Sequence, residues 1–383
     1  MDGSNKLRVV LAHDWLTGMR GGEKCLEPLC ERWPDAQLLS LFHVPGKLSL
    51  PIERMAIRTS FLQHFPGVRD YYRQLLPLMP FAMRSLRIVN ADLVVSLSHC
   101  VAKSVRPPHG VPHVCYCFTP MRYIWHMRAA YLSSRHRLKG LPLELLIKAL
   151  RWWDRASADN VTHFIAISET VRQRIRDCYE RDSVVIYPPV DASFYVPARV
   201  RREDHYLVVS ALVPYKRIDL AIQACNRLGR HLLIIGQGPE MARLQALAGP
   251  TIHFAGWQPD EVIREHMQRC QALLFPGEED FGIVPLEAMA CGAPVIAFGR
   301  GGATETVIPH GSTGDPTGHY FMEQTPEALA DAILEFEKLA GEFSPQASRR
   351  QALRFSKERF EAELFSYLDE VVGVEPLPLR RAA

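Results

Sequence analysis

Two carboxylates, Glu279 and Glu287, stand eight positions apart in the stretch EEDFGIVPLEAMACGAPVIAF, residues 278–298, with Gly282 and Pro285 between them. The apolar runs CQALLF before it and PVIAF at its end, bounded by Gly and Pro, suit buried strands of a parallel sheet. What joins them must be a crossover helix. Pro285 fits its first turn, Leu286, Met289 and Ala290 repeat at helical spacing, and Gly292 with Pro294 supplies the stop. Glu279 then lies in the loop after a strand, and Glu287 points from the first turn of the helix. That is the carboxyl edge of a parallel sheet, where open α/β folds bind ligands. Position alone leaves a second account open, in which Glu287 favours the positive end of the helix dipole and Glu279 is a solvated loop acid.

Other loops at strand ends carry residues of the same kind. HDWLTGMRGGEK sets Gly18, Gly21 and Gly22 between a strand and a helix, where backbone N–H groups can approach an anion. It is neither a Walker loop nor a spaced dinucleotide fingerprint, so tight turn and phosphate cradle both stand. Lys216, in SALVPYKRID, enters a helix just after a strand, and its ammonium could address phosphate or be solvated. GQGPE and GWQPD place Gly236, Gly238 and Gly256 at successive strand ends, either to relieve turn strain or to admit a flat nucleobase. No D-x-D pair and no His/Cys cluster with ligand spacing occurs, so no tightly held metal is expected.

These loops need two sheets to position them. The chain has 383 residues, 47% hydrophobic and 23% charged, which suits two globular domains. A net charge of +3 is too small to argue for nucleic acid. Nine cysteines without a CxxC pair suggest free, mostly buried thiols and a reducing cytoplasm. The start reads as a first strand, not a signal peptide, and no apolar run reaches membrane-spanning length. LRVVLAHD, DLVVSLS, HVCYCF, HFIAIS and VVIYPP alternate with helical stretches in the first half. HYLVVSA, HLLIIG, TIHFAG and the opening unit do so in the second.

The prolines of YPPVDASFYVP mark a break between the two series. The expected division is a first domain at 1–187, a linker at 188–200, a second domain at 201–355, and a C-terminal helix and tail at 356–383 packing back toward the first. Two doubly wound domains would face each other across a cleft and close at the linker to exclude water.

EEDFGIVPLEAMACGAPVIA resembles the E-x7-E signature of retaining glycosyltransferases of family 4. HDWLTGMRGGEK, TPMRYIW, ALVPYKRID, IIGQGPE and GRGGATETV resemble, in order, the other blocks of a bacterial branch that includes O-antigen mannosyltransferases. The resemblance covers nearly the whole chain and implies a GT-B fold of two Rossmann-like domains. The second would hold a sugar nucleotide, with GDP-mannose favoured, and the first a lipid-linked or saccharide acceptor. In family terms Glu287 would accept from the ribose hydroxyls and Glu279 would sit by the donor sugar. The amides of Phe281, Gly282, Ile283 and Val284 would address sugar and diphosphate. No cofactor or metal is implied. Retention is pictured as front-face attack, with the leaving phosphate oxygen taking the acceptor's proton.

Two positions depart from the family pattern. Phe118 in CFTP stands where a His is often assigned to the donor sugar, and Ala211 where an Arg usually precedes the Lys. Arg122, Arg217 or Arg300 could supply the second positive charge, and His99 the imidazole. The departures also admit a non-catalytic sugar-nucleotide-binding subunit of a polysaccharide assembly complex, and a UDP-dependent hexosyltransferase is a further alternative. Two basic, apolar segments, residues 67–88 and 135–157, suit peripheral contact with an anionic leaflet. Pro77 and Pro80 break the first, and apolar helices also line ordinary cores. The expected location is the cytoplasm, at the inner face of the membrane where such contact occurs.

Overall fold

The computed structural model describes residues 7–125 and 141–373. The chain divides into two compact units, one of residues 1–188 with 360–383, the other Pro189–Arg359.

The first unit is built on β1 (Val9–His13), β2 (Gln37–Ser40), β3 (Ala56–Thr59), β4 (Leu93–Ser98), β5 (His113–Cys117), β6 (His163–Ala166) and β7 (Val184–Val185). They form one parallel sheet in the order β3-β2-β1-β4-β5-β6-β7. Every residue of β1, β4 and β5 is buried, because helices cover both faces of such a sheet. Polar residues inside these strands are matched: Ser96 Oγ meets His113 Nε2 at 2.8 Å, and His113 Nδ1 meets the Asn160 carbonyl at 2.8 Å. The helix Gly21–Arg32 follows β1. The C-terminal helix Lys357–Val371 belongs to this unit from Phe360 onward. Asp369 takes a 2.6 Å hydrogen bond from Arg32, Phe365 packs edge-on to Trp33, and Phe360 packs against Tyr116.

The second unit is a six-stranded parallel sheet of β8 (Tyr206–Val209), β9 (Leu232–Ile235), β10 (Ile252–Gly256), β11 (Leu273–Phe275), β12 (Val295–Phe298) and β13 (Gly318–Phe321). Its order is β10-β9-β8-β11-β12-β13. The helices Ile218–Leu228 and Pro326–Lys338 close one side over Leu220, Ile222, Leu329, Ile333 and Phe336, all buried. Thr325 caps the latter by accepting from Ala328 N. Pro189–Pro197 is fastened to this unit. Arg349 donates to the carbonyls of Tyr195 at 2.5 Å and Ala192 at 2.6 Å, and Val190 N donates to Phe355 O at 2.8 Å.

In each sheet the chain first winds one way and then returns to the other side, so the order reverses between β1 and β4 and between β8 and β11. Loops leaving those four strands diverge and open a crevice at the carboxyl edge. Three strands escaped the reading of the sequence: β2, β3 and β13 are only four residues each, and β3 alternates exposed and half-buried residues at the sheet's edge.

Candidate functional site

The second unit gathers candidate residues at the β8/β11 switch point. After β8 the chain makes a short 3-10 turn, Pro214–Lys216, that aims Lys216 across the loop after β11. Lys216 Nζ is paired with Glu279 Oε1, both side chains largely covered. The two loops cross closely because residue 277 is glycine; a Cβ there would sit 3.0 Å from Lys216 Cα. Glu279 is itself held by backbone, its carbonyl accepting from Gly302 N at 2.8 Å.

The helix Ile283–Ala290 follows, begun by Gly282 at φ +83°, a left-handed turn that suits glycine. Phe281 is buried beneath its start, and Ile283 and Val284 are its first two residues, half-buried. The first N–H groups of a helix have no partner within it, which makes this head a polar donor surface. Glu287 is the fifth residue of the helix, so it lies in the second turn and not the first, and it is 6% exposed. A carboxylate that far inside the helix is beyond reach of the terminal dipole, which fades after the first turn.

The candidate cations differ in their commitments. Arg217, left-handed at φ +52°, is tied to Asp219 at 3.2 Å and to Gln324. Arg300 is exposed, with its guanidinium over the Phe298 ring at 5.8 Å, and meets no carboxylate among the described residues. Ala211 is exposed just after β8.

Gly236 and Gly238 are spaces for the protein's own backbone. A Cβ at Gly236, where φ is +140°, would lie 1.8 Å from the Ser210 carbonyl, and one at Gly238 would lie 2.2 Å from that of Leu212. Gly256, at φ +68°, meets nothing within 4 Å.

The first unit gathers a second cluster at the β1/β4 switch point. Asp14, fully buried, accepts four backbone N–H groups from the turn after β4: His99 at 2.7 Å, Cys100 at 2.9 Å, Val101 at 2.6 Å and Ala102 at 2.7 Å. His99 Nδ1 is 3.1 Å from the same carboxylate, which sets Nδ1 as the protonated nitrogen. Burial pushes His99 down to about 4 against the opposing pull of Asp14, with His13, Arg122 and Arg20 adding to the lowering. The rim of the ring keeps 28% side-chain exposure, but its packing 4.5 Å edge-on to Trp15 supports a neutral imidazole.

His99, His13 and Phe118 form a triangle of rings at 6.3–6.5 Å. His13 hydrogen-bonds the Trp15 carbonyl through Nδ1 at 3.0 Å, leaving Nε2 as a buried acceptor without a partner. A Cβ at Gly22 would stand 3.3 Å from that nitrogen, while Gly21 is open. Arg122 is half-buried in the turn after β5.

Asp14 and His13 were missed by sequence reasoning. The signal was present, since His13 ends the first strand of a doubly wound sheet and Asp14 follows it, but nothing local shows that four amides from residues 99–102 will converge on Asp14. Among the described residues no three His, Cys, Asp or Glu gather as a metal-binding group, and no helix is long and apolar enough to cross a membrane. All nine cysteines are free and buried.

Two family models match the chain in succession. Residues 19–194 match the family model Glycosyltransferase Family 4, and residues 195–353 match Glycosyl transferases group 1. A GDP-mannose-dependent alpha-(1-6)-phosphatidylinositol monomannoside mannosyltransferase of Mycolicibacterium smegmatis is 30% identical over 214 residues, 48% of this chain and 55% of that protein. The D-rhamnosyltransferase WbpZ of Pseudomonas aeruginosa is 28% identical over 186 residues, covering 44% and 47%. The chain thus spans about half the length of the curated relatives it matches. In fold it is similar to sucrose-phosphate synthase from Thermosynechococcus elongatus, with a TM-score of 0.73 at 15% identity over 96% of this chain and 99% of that one. Anabaena HepE in complex with UDP gives 0.68 at 17% identity, over 95% and 100%. The architecture is the GT-B arrangement of two Rossmann-like domains.

Proposed function

We propose that the chain is a glycosyltransferase of the family 4 type that transfers a hexose with retention and without a metal, mannose from GDP-mannose first among the donors, to a lipid-linked or saccharide acceptor in polysaccharide assembly. The observation that carries the reading is the Lys216–Glu279 pair beside the head of the helix Ile283–Ala290, at a sheet's switch point. An ammonium has three donors, so one contact with Glu279 leaves two for diphosphate oxygens. As the anomeric C–O bond to the diphosphate breaks, charge grows on the leaving oxygen, where Lys216 and the amides of Ile283 and Val284 stabilise it. The acceptor oxygen bonds to the same face of the anomeric carbon, and its proton passes to the leaving phosphate oxygen. Glu287 takes the ribose hydroxyls. Arg300, uncommitted to any carboxylate, is the best placed of the second unit's arginines to stand in for the missing cation at Ala211.

The mycobacterial relative's name supports the mannose donor. The fold likeness to a protein solved with UDP and glucose keeps a UDP-hexose as the second reading. Calorimetry with GDP, UDP and ADP and their mannose or glucose conjugates decides between them. We expect one base to bind, and Glu287→Ala to weaken it about tenfold or more, as loss of hydrogen bonds to a charged group implies. If no nucleotide binds at millimolar concentration, the donor reading fails. Binding without diphosphate release on any acceptor favours the non-catalytic subunit.

Peripheral contact with an anionic lipid surface is part of the same proposal. Much of segment 67–88 is core: Val68, Tyr72, Met79, Ala82, Met83 and Leu86 are buried. Phe81 remains 67% exposed amid exposed Arg69, Arg73, Arg84 and Arg87. Of segment 135–157, residues 135–140 lie outside the described residues. On the helix Leu141–Ser157, Leu145 and Trp152 are seven apart and 57% and 74% exposed, with Lys148 between them. Flotation with anionic liposomes at low salt should carry the protein up, and Phe81→Glu with Trp152→Glu should leave it at the bottom. Wild type that stays down sinks this part.

A further inference from the structure

At the amino edge of the first sheet, the end opposite the β1/β4 switch point, lies a pocket of about 500 Å³. Its walls come from the start of β1, the end of the helix Gly21–Arg32, β3 and the loop before β4. The volume is that of a small-molecule site.

Four guanidiniums line it, and they divide into two kinds. Arg8 is locked in a fork on Asp92, at 2.6 and 2.9 Å, and Arg32 is locked on Asp369 while lying over the Trp33 ring at 5.1 Å. These two are matched and serve the fold. Arg58 and Arg87 meet no carboxylate among the described residues. Arg58 reaches the Arg87 carbonyl at 3.2 Å, which brings the two residues together on one wall. Asp35 is the one acid in the lining. The lining also includes the apolar Val9, Val10 and Ile88 and a Val89 that is 84% exposed.

Neither feature is explained by packing. An apolar side chain as open as Val89 gains little from the fold, and two exposed guanidiniums held on one wall by the Arg58–Arg87 carbonyl bond raise the positive potential that an anion would meet there. Arginine's planar fork suits phosphate or carboxylate, and a ring or short chain beside it would cover the apolar wall.

We propose that this pocket binds a small amphipathic anion, a phosphate or carboxylate carried on an aromatic or apolar body, with Arg58 and Arg87 taking the charge and Val89, Ile88 and Trp33 the body. The site is separate from the donor half-site: its lining comes from the amino ends of the strands, whereas Lys216, Glu279 and Glu287 belong to the other unit. The same chemistry is offered by a free metabolite and by the head of a lipid phosphate, and the two differ in whether a bilayer is needed.

The test uses the full chain and 1-naphthyl phosphate as the probe, with calorimetry for affinity and the Trp33 indole N–H resonance for location. We expect saturable one-to-one binding that shifts the Trp33 signal. Inorganic phosphate and 1-naphthol should each bind at least about tenfold more weakly, because each lacks half of what the site reads. Arg58→Gln with Arg87→Gln should cost about ten- to a hundredfold in affinity for the probe, while saturating GDP or UDP should leave the probe's affinity as it was, which separates this site from the nucleotide reading. A Trp33 shift with vesicles containing phosphatidic acid marks a lipid head as the natural ligand, and a shift with the soluble probe but none with the vesicles marks a metabolite. Binding indifferent to both Gln substitutions, an unmoved Trp33 signal, or no binding at millimolar probe overturns the proposal. If deleting residues 374–383 is needed before the probe binds, the chain's own tail is the occupant and the small-anion assignment falls.

Discussion

Lys216 carries its charge against Glu279 within a largely covered loop crossing, so each is the other's principal counter-ion. Removing the ammonium leaves a half-buried carboxylate beside the place assigned to a diphosphate. Lys216→Ala should lower turnover about 10²–10³-fold, the loss seen when one preorganised donor to a developing anion is removed, and should weaken diphosphate binding as well. Lys216→Arg should recover part of the affinity but less of the rate, since a planar fork cannot reproduce the ammonium's position. Steady-state kinetics with whichever donor calorimetry selects would check both. Equal rates for wild type and Lys216→Ala would remove Lys216 from the reaction. Arg217 is a different case at this scale. Its position in the sequence qualified it as a phosphate ligand, but its hydrogen bonds to Asp219 and Gln324 give it a local task that Arg300 does not have.

Elements depend on two small devices that hold loops at strand ends. Asp14 gathers four amides from residues 99–102, so a single carboxylate fixes the turn after β4 to the end of β1 and orients His99. Asp14→Asn replaces one accepting oxygen by an amino group facing N–H donors. It should destabilise the protein by about 2–4 kcal/mol, measured by urea unfolding, and the His99 ring signals should shift in the same variant. An unchanged midpoint would mean that the turn holds without its anchor. Gly236 is the counterpart in the second unit. Gly236→Ala would drive a methyl into the Ser210 carbonyl, and a loss of about 2 kcal/mol or more follows from overpacking and backbone strain together.

For the whole molecule, acid stability follows from buried imidazoles in the first unit. Burial pushes His113 down to about 4 from 6.5, although its bond to the Asn160 carbonyl opposes the shift. Unfolded, the ring takes a proton near 6.5; folded, it resists until about 4. The stabilisation is therefore complete above 6.5 and is lost as pH falls through that window, amounting for His113 to about 3 kcal/mol. His99 acts in the same direction. The urea midpoint should fall between pH 6.5 and 4.5 in wild type and fall less in His113→Asn. Parallel curves for the two would show that other groups govern acid unfolding.

The residue pattern by itself determined the class of fold and the loop and helix positions of the second unit's candidate residues. The strands in PVIAF and LVVSLS are buried on both faces, and so apolar a run bounded by turn residues has few other uses. The helix stop at Gly292 and the loop position of Glu279 were equally local, fixed by turn chemistry within a few residues. Short edge strands were not legible, because four residues with one face open carry too little periodicity. Only the tertiary structure decided what depends on distant partners. It put Glu287 in the second turn, drew Gly236 and Gly238 against residues 210 and 212, and fastened residues 189–197 through Arg349. It also converged residues 99–102 on Asp14, across 85 or more positions of chain. Local propensity acts over a turn or two of chain, whereas a buried charge or a close backbone approach is satisfied by whatever the packing brings to it.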